Sequence, residues 1–61
     1  MNLICKIYFK EYRKSSEVLF DFRGCECRDD IGLVFYYAQD DELLAVFYSL
    51  SEIEDFNVMS V

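Results

Sequence analysis

The sequence contains no histidine, no tryptophan and no proline, and it has only two glycines among its 61 residues. Histidine is the side chain that most often transfers protons in enzymes, and it is also a common zinc ligand. A glycine-rich loop that would hold a phosphate group is absent as well. These absences argue against an enzyme, and we assign no catalytic residue, no cofactor and no metal ligand.

Cysteine occurs only three times, as Cys5, Cys25 and Cys27. An odd number leaves at least one thiol free, and two cysteines one residue apart on a strand lack the geometry of an ordinary disulfide. A zinc site would need a fourth ligand. We therefore expect the three cysteines to be small buried apolar side chains, in a protein that resides in a reducing cytosol. A metal or redox site, including one shared between copies in an oligomer, is the alternative.

Long apolar runs and positive charge are also scarce. No stretch approaches the roughly 20 apolar residues of a membrane-spanning helix, and the apolar start of the chain is interrupted by Lys6. Twelve acidic residues against six basic ones give a formal net charge of −6. This charge disfavours anionic membranes and direct binding to nucleic acid, so we expect a cytoplasmic protein, in the cytosol of a host cell.

Apolar residues are abundant: 54% of the residues are hydrophobic and 18% are aromatic. A chain of this composition folds rather than remaining disordered. Its length allows a single small domain, residues 1–61, whose core is limited because so short a chain buries only about 60% of its unfolded surface.

The first half of the chain alternates as strands do. Apolar residues at every second position predict a strand over 3–12, followed by a turn at 13–16 and a second strand. Pairing the two as a hairpin places Phe9 opposite Phe20 and Ile7 opposite Phe22. The phase of the second strand then changes at Gly24, which predicts a bulge that buries Cys25 and Cys27. The inward residues of this hairpin are predicted to be Leu3, Cys5, Ile7, Phe9, Val18, Phe20 and Phe22.

The second half contains two apolar runs, 33–38 and 43–48, between acidic turns at 29–30 and 39–42. They predict a second hairpin with Ala38 opposite Leu43. Ser51 and Glu54 have the spacing of a helix cap, which predicts one helical turn, and residues 56–61 then return as a closing strand.

This order predicts an all-β fold, a small five-stranded antiparallel sheet built from two hairpins, a short helical turn and a closing strand. The arrangement is similar in topology to small SH3-like barrels. A plain antiparallel meander that pairs with a second copy is the alternative.

Both faces of the second hairpin are apolar, and the first hairpin offers only one apolar face to cover them. The uncovered face would be an apolar patch that is unusual for a soluble monomer. We therefore predict an interface at Val34, Tyr36, Ala45 and Phe47, most simply that of a homodimer. Large aromatic side chains such as Tyr36 and Phe47 are the expected anchors.

From Asp29 onward the chain has eight acidic residues and no basic one. Acidic side chains on a rigid surface would attract a basic protein groove, although acidic turns also serve solubility. The candidate acidic contacts are Asp40, Asp41, Glu42, Glu52, Glu54 and Asp55.

The acidic segments Asp40–Glu42 and Glu52–Asp55, beside Tyr36, Phe47 and Tyr48, resemble in overall character the small phage-encoded inhibitors of host enzymes, such as anti-CRISPR proteins and inhibitors of uracil-DNA glycosylase. The resemblance implies a counter-defence inhibitor that occludes the basic groove of a host nucleic-acid-processing or defence enzyme. The alternative is a structural or adaptor module that only assembles through its apolar face.

Overall fold

The computed structural model describes residues 2–11 and 15–60, and these residues contain strands and turns but no helix. The all-β fold is as predicted from the sequence, with six strands rather than five. The strands are β1 (Leu3–Phe9), β2 (Glu17–Phe20), β3 (Phe22–Arg28), β4 (Gly32–Gln39), β5 (Glu42–Ser49) and β6 (Ile53–Ser60).

The strands form two separate antiparallel sheets of three strands each, in the orders β2-β1-β6 and β3-β4-β5. The predicted single five-stranded sheet and SH3-like barrel are therefore not the architecture of this chain. Instead the two sheets face each other, and the core between them takes side chains from both. The buried core residues are Cys5, Ile7, Leu19, Phe22, Phe35 and Ile53.

Aromatic contacts connect the two sheets. Phe35 of β4 meets Phe56 of β6 edge to face, with ring centroids 5.2 Å apart, and Phe9 of β1 meets Tyr48 of β5 at 5.0 Å. The hydroxyl of Tyr48 donates a hydrogen bond to the carboxylate of Glu17 on β2. Burial and this hydrogen bond raise the pKa of Tyr48, so the phenol remains a neutral donor.

The predicted register of the first hairpin is wrong. Cys5 pairs with Leu19 and Ile4 pairs with Phe20, so the strands are offset by five positions from the predicted pairing. An odd offset turns the second strand over. Leu19 is therefore in the core at 4% exposure, whereas Phe20 is 66% exposed.

The offset arises because β1 ends at Phe9 and residues 10–16 separate it from β2. The predicted strand extends too far, because Lys10 and Glu11 lie beyond the end of β1. Tyr12 and the first half of the predicted turn, Arg13 and Lys14, lie outside the described residues.

The predicted second strand is divided at Asp21, whose φ of 54° is left-handed. This residue turns the chain from one sheet into the other, so Phe20 and Phe22 lie on different sheets. Its carbonyl accepts a hydrogen bond from the N–H of Ala38 (3.0 Å), which fixes the corner on β4. The corner explains why there are six strands.

The predicted bulge at Gly24 is confirmed, because the β3–β4 register shifts between Phe22 and Gly24. Gly24 has a φ of 152°, which favours glycine, although a Cβ there would meet no atom within 4 Å. Cys25 then pairs with the buried Phe35. Cys25 and Cys27 are nevertheless exposed, contrary to the prediction, because β3 is an edge strand. Cys5 is buried as predicted.

The second hairpin has the predicted register, with Ala38 opposite Leu43. Its two-residue loop is Asp40-Asp41, with φ values of 53° and 64°. Aspartate is one of the few residues other than glycine that tolerate this left-handed conformation.

The predicted helical turn at Ser51–Glu54 is a β-turn instead. The N–H of Glu52 bonds to the carbonyl of Ser49 (3.0 Å), and the N–H of Ser49 bonds to the Glu52 carboxylate (3.1 Å). These two bonds close a tight turn that cannot extend into a helix. The last strand begins at Ile53, earlier than the predicted 56, and pairs with β1.

Candidate protein-binding surface

The outward side of β4 and β5 is apolar, and part of it is exposed. Because Phe35 is buried in the core, the alternate residues of β4 face away from it. Register places Val34 opposite Phe47 and Tyr36 opposite Ala45. We call this surface the outer apolar face; its members are Val34, Tyr36, Ala38, Leu43, Ala45 and Phe47.

The four predicted interface residues therefore lie together on one face, but their exposure differs. Phe47 is 47% exposed and Ala45 is exposed, Tyr36 is half-buried, and Val34 is only 8% exposed. The most exposed large apolar residue of the face is Leu43, at 65%. Leu43, Ala45 and Phe47 are thus the accessible part of the face, and the buried Val34 lies beside Phe47.

Phe47 is positioned by Gly32, the first residue of β4. A Cβ built on Gly32 would stand 2.3 Å from Cζ of Phe47 and 2.6 Å from the carbonyl oxygen of Tyr48. No real side chain tolerates such distances, so the aromatic ring lies directly over the glycine. The missing side chain at residue 32 therefore determines where the ring of Phe47 lies on the outer apolar face.

Tyr36 is held by charged residues of β3. Its hydroxyl donates a hydrogen bond to the carboxylate of Glu26, which also accepts one from Arg28 at 3.1 Å. The bond to Glu26 raises the pKa of Tyr36, so the hydroxyl is protonated at neutral pH. A polar border thus runs along the β3 side of the face.

The predicted acidic residues do not form one surface. Asp40, Asp41 and Glu42 lie at the start of β5, and Glu52 lies in the turn beyond its end. The eight residues of β5 separate the two groups by about 25 Å at about 3.3 Å per residue. Glu54 lies in β6, which belongs to the other sheet.

Glu52 and Asp55 are also engaged by the chain itself. The carboxylate of Glu52 accepts hydrogen bonds from the N–H and the hydroxyl of Ser49, at 3.1 and 3.2 Å. The carboxylate of Asp55 accepts one from the N–H of Phe56 at 2.8 Å. These two side chains shape turns and strand ends, whereas Asp40, Asp41 and Glu42 extend into solvent at the end of the hairpin.

The structure adds two acidic groups, Asp21 and Asp29-Asp30, to the candidate acidic contacts. Asp21 joins Asp40, Asp41 and Glu42 around a shallow pocket of ≈ 440 Å³, in which Arg23 binds the Asp21 carboxylate through two nitrogens at 3.1 and 3.3 Å. This ion pair raises the pKa of Arg23.

The other added group, Asp29-Asp30, forms the turn between β3 and β4 at the opposite end of the sheet. The outer apolar face is thus bounded by acidic turns at both ends. The Asp-Asp pairs were the signal available in the sequence, because aspartate favours turns with a left-handed backbone.

A second apolar row was missed because it depends on the register of the first hairpin. Phe20, Ile4 and Met59 lie side by side across β2, β1 and β6 on the outward side of that sheet. Phe20 and Met59 are 66% and 47% exposed. Both outward faces of the sandwich therefore present apolar side chains.

The thiols do not form a recognisable metal centre. Burial raises the pKa of Cys5 to about 11, with a smaller contribution from Cys25, so this thiol stays protonated. Residues 2–11 and 15–60 contain no group of three or more His, Cys, Asp or Glu side chains placed to hold a metal ion. In the same residues there is no helix long and apolar enough to cross a membrane.

Comparison with known protein families, with curated proteins and with solved structures finds no match to this chain.

Proposed function

We propose that the protein is a non-enzymatic inhibitor that binds a basic groove on a host nucleic-acid-processing or defence enzyme, as a phage counter-defence protein would. The observation that supports this proposal is the outer apolar face, on which Leu43 and Phe47 remain 65% and 47% exposed. Contiguous exposed apolar surface bounded by polar residues is typical of sites that bind other proteins.

The charge around this face specifies the kind of partner. Residues 21–49, which contain the whole β3-β4-β5 sheet, have seven acidic side chains and two arginines. Negative charge at both ends of the face would steer it toward a basic surface, while the apolar centre would hold it there after contact. In this mechanism the acidic turns act on the rate of association, and Phe47 and Leu43 act mainly on the rate of dissociation.

The inhibitor works as a homodimer in this proposal. A dimer doubles the apolar and acidic surface that each particle presents, and a 61-residue chain alone offers little area.

A structural module that only assembles with itself is the second candidate. The row of Phe20, Ile4 and Met59 on the opposite sheet, in which Phe20 and Met59 are exposed, favours it, because two apolar outward faces allow contacts between copies on both sides. Such a module would bind no basic enzyme.

Affinity capture from a host-cell lysate separates the two candidates. The first bait carries Asp40→Asn, Asp41→Asn and Glu42→Gln. These substitutions remove the negative charge, and asparagine still tolerates the left-handed conformation of the turn. A second bait carries Asp29→Asn and Asp30→Asn in the equivalent turn at the other end, so that the two acidic ends are tested separately. A basic protein captured by the wild type and lost by the first bait supports inhibition through that acidic end; no prey, or a prey kept by both baits, counts against it.

A further inference from the structure

Each sheet has two edge strands, and three of these four edges carry features that discourage pairing with another strand. Within the described residues, β2 is only four residues long, and β3 has a bulge and three charged side chains. β6 has Glu54 and Asp55 beside an irregularity opposite Tyr8 and Phe9. Short length, charge and bulges are the usual protection of a sheet edge.

The edge of β5 has none of these features. It is eight residues long, its pairing with β4 is regular throughout, and it has no charged residue from Leu43 to Ser49. A long, flat and apolar edge strand is a template for another strand. It is therefore the most receptive edge in the described part of the chain.

The backbone groups available at this edge can be identified. The N–H of Ala38 bonds to Asp21 on the β3 side, so Ala38 and Leu43 are not a hydrogen-bonded pair. Hydrogen-bonded and non-hydrogen-bonded pairs alternate along an antiparallel ladder. The N–H and C=O groups of Leu43, Ala45 and Phe47 consequently point away from β4, toward the open edge.

We infer that β5 pairs antiparallel with β5 of a second copy, around a two-fold axis at Ala45. Such an axis keeps outward side chains on the same side, so odd-numbered residues must lie opposite odd-numbered residues. These are also the residues with backbone groups at the open edge. Leu43 of each copy then lies opposite Phe47 of the other. This packs the two most exposed large apolar side chains of β5 side by side across the new interface.

Charge favours the antiparallel orientation. It places the acidic turn Asp40-Asp41 of each copy beside Ser49 and Leu50 of the other, where the Glu52 carboxylate is held by hydrogen bonds from Ser49. The two Asp40-Asp41 turns then lie at opposite ends of the new interface. Parallel pairing would place the acidic turns of the two copies side by side, where they repel each other.

The result is a continuous six-stranded sheet in which the outer apolar faces of two copies join. Pairing through the edge leaves this doubled face open. That a basic protein then occupies the doubled face rests on the proposed function, whereas the pairing itself does not.

Amide hydrogen exchange of the purified protein, followed by NMR at several concentrations, tests the pairing without any partner. We expect exchange at Leu43, Ala45 and Phe47 to slow at least tenfold as the dimer forms. The amides of Leu44 and Val46, which already bond to β4, are the internal control and should change much less. Fast exchange at the three edge amides in a dimer, or a monomer at every concentration, would overturn the inference.

Two variants distinguish a dimer that forms through the β5 edge from one that forms through the outer apolar face. Ala45→Pro removes an N–H that faces the open edge but keeps the apolar surface, and proline is tolerated at such positions. Native mass spectrometry should then show only the 7.3 kDa chain. Tyr36→Ser alters the face on the central strand and should leave the dimer intact. The reverse pattern would show that the face, not the edge, joins the copies.

If Ala45→Pro does not fold, the exchange measurement alone decides the pairing. A protein that dimerises through β5 yet captures no basic partner would contradict the proposed function and leave the pairing in place.

Discussion

The ring of Phe47 occupies the space that a side chain at Gly32 would need, since a Cβ at residue 32 would stand 2.3 Å from its Cζ. The glycine and the aromatic ring are therefore a matched pair on the outer apolar face. The contact orients the most exposed aromatic side chain of that face.

Gly32→Ala should destabilise the protein by about 1–3 kcal/mol, the usual cost of overpacking. Adding Phe47→Ala should restore only part of this loss, because the carbonyl oxygen of Tyr48 would still lie 2.6 Å from the new Cβ. Urea denaturation of the single and double variants measures both effects. Gly24→Ala is the control: its cost is conformational, so Phe47→Ala should not reduce it. Equal effects of Phe47→Ala in both backgrounds would contradict the contact.

The register of the first hairpin predicts that alanine substitutions at two neighbouring residues change stability by very different amounts. Leu19→Ala should cost about 2–5 kcal/mol because Leu19 is in the core. Phe20→Ala should change stability by no more than about 0.5 kcal/mol because Phe20 is an exposed surface residue. Thermal and urea unfolding compare the two, and a larger loss for Phe20→Ala would favour the other register.

The left-handed turn at Asp40-Asp41 predicts which substitutions it accepts. Asp41→Val should destabilise the protein by about 1–2 kcal/mol, since a β-branched residue is strained at a φ of 64°. Asp41→Asn is the control that removes the charge and tolerates the conformation, and it should be close to neutral. Similar stabilities of the valine and asparagine variants in urea would argue against the turn.

Stability should fall at alkaline pH. The folded-state pKa of Cys5 is raised from 9.0 to about 11, so ionisation of this thiol favours the unfolded chain. The contribution of Cys5 to the free energy of unfolding is fully present below pH 9.0 and is lost as the pH rises toward about 11. Tyr48 acts in the same direction at higher pH.

Cys5→Ala should therefore reduce the slope of unfolding free energy against pH in this range, and urea titrations at a series of pH values measure that slope. Cys27→Ala, at an exposed position, is the control. An unchanged slope in Cys5→Ala would contradict the assignment.

The second hairpin could be predicted because an acidic turn lies between two apolar runs, and this fixes Ala38 opposite Leu43. The first hairpin could not, because alternation does not reveal loop length. Phe20 and Phe22 have the spacing of one strand face, yet the left-handed backbone at Asp21 places them on different sheets. Ser51 and Glu54 have the spacing of a helix cap. In the structure the Glu52 carboxylate instead accepts a hydrogen bond from the N–H of Ser49, and a β-turn forms.

The outer apolar face was predictable for the same reason as its hairpin, since two consecutive apolar strands have no polar side. The sequence did not reveal how the residues are arranged in three dimensions. Val34 is covered, Asp40–Glu42 and Glu52 lie at opposite ends of β5, and Glu54 and Asp55 lie in β6 of the other sheet. The exposed row of Phe20 and Met59 depends on long-range pairing of β2 and β6 with β1.

Sedimentation equilibrium of the purified protein, from micromolar to millimolar concentration, tests the central claim that β5 joins two copies of the chain, with Leu43 of each copy packed beside Phe47 of the other. We predict a reversible dimer of twice 7.3 kDa that is lost in the double variant Leu43→Ser and Phe47→Ser. A wild-type protein that remains a single 7.3 kDa particle throughout this range, as soluble as the double variant, would contradict the account.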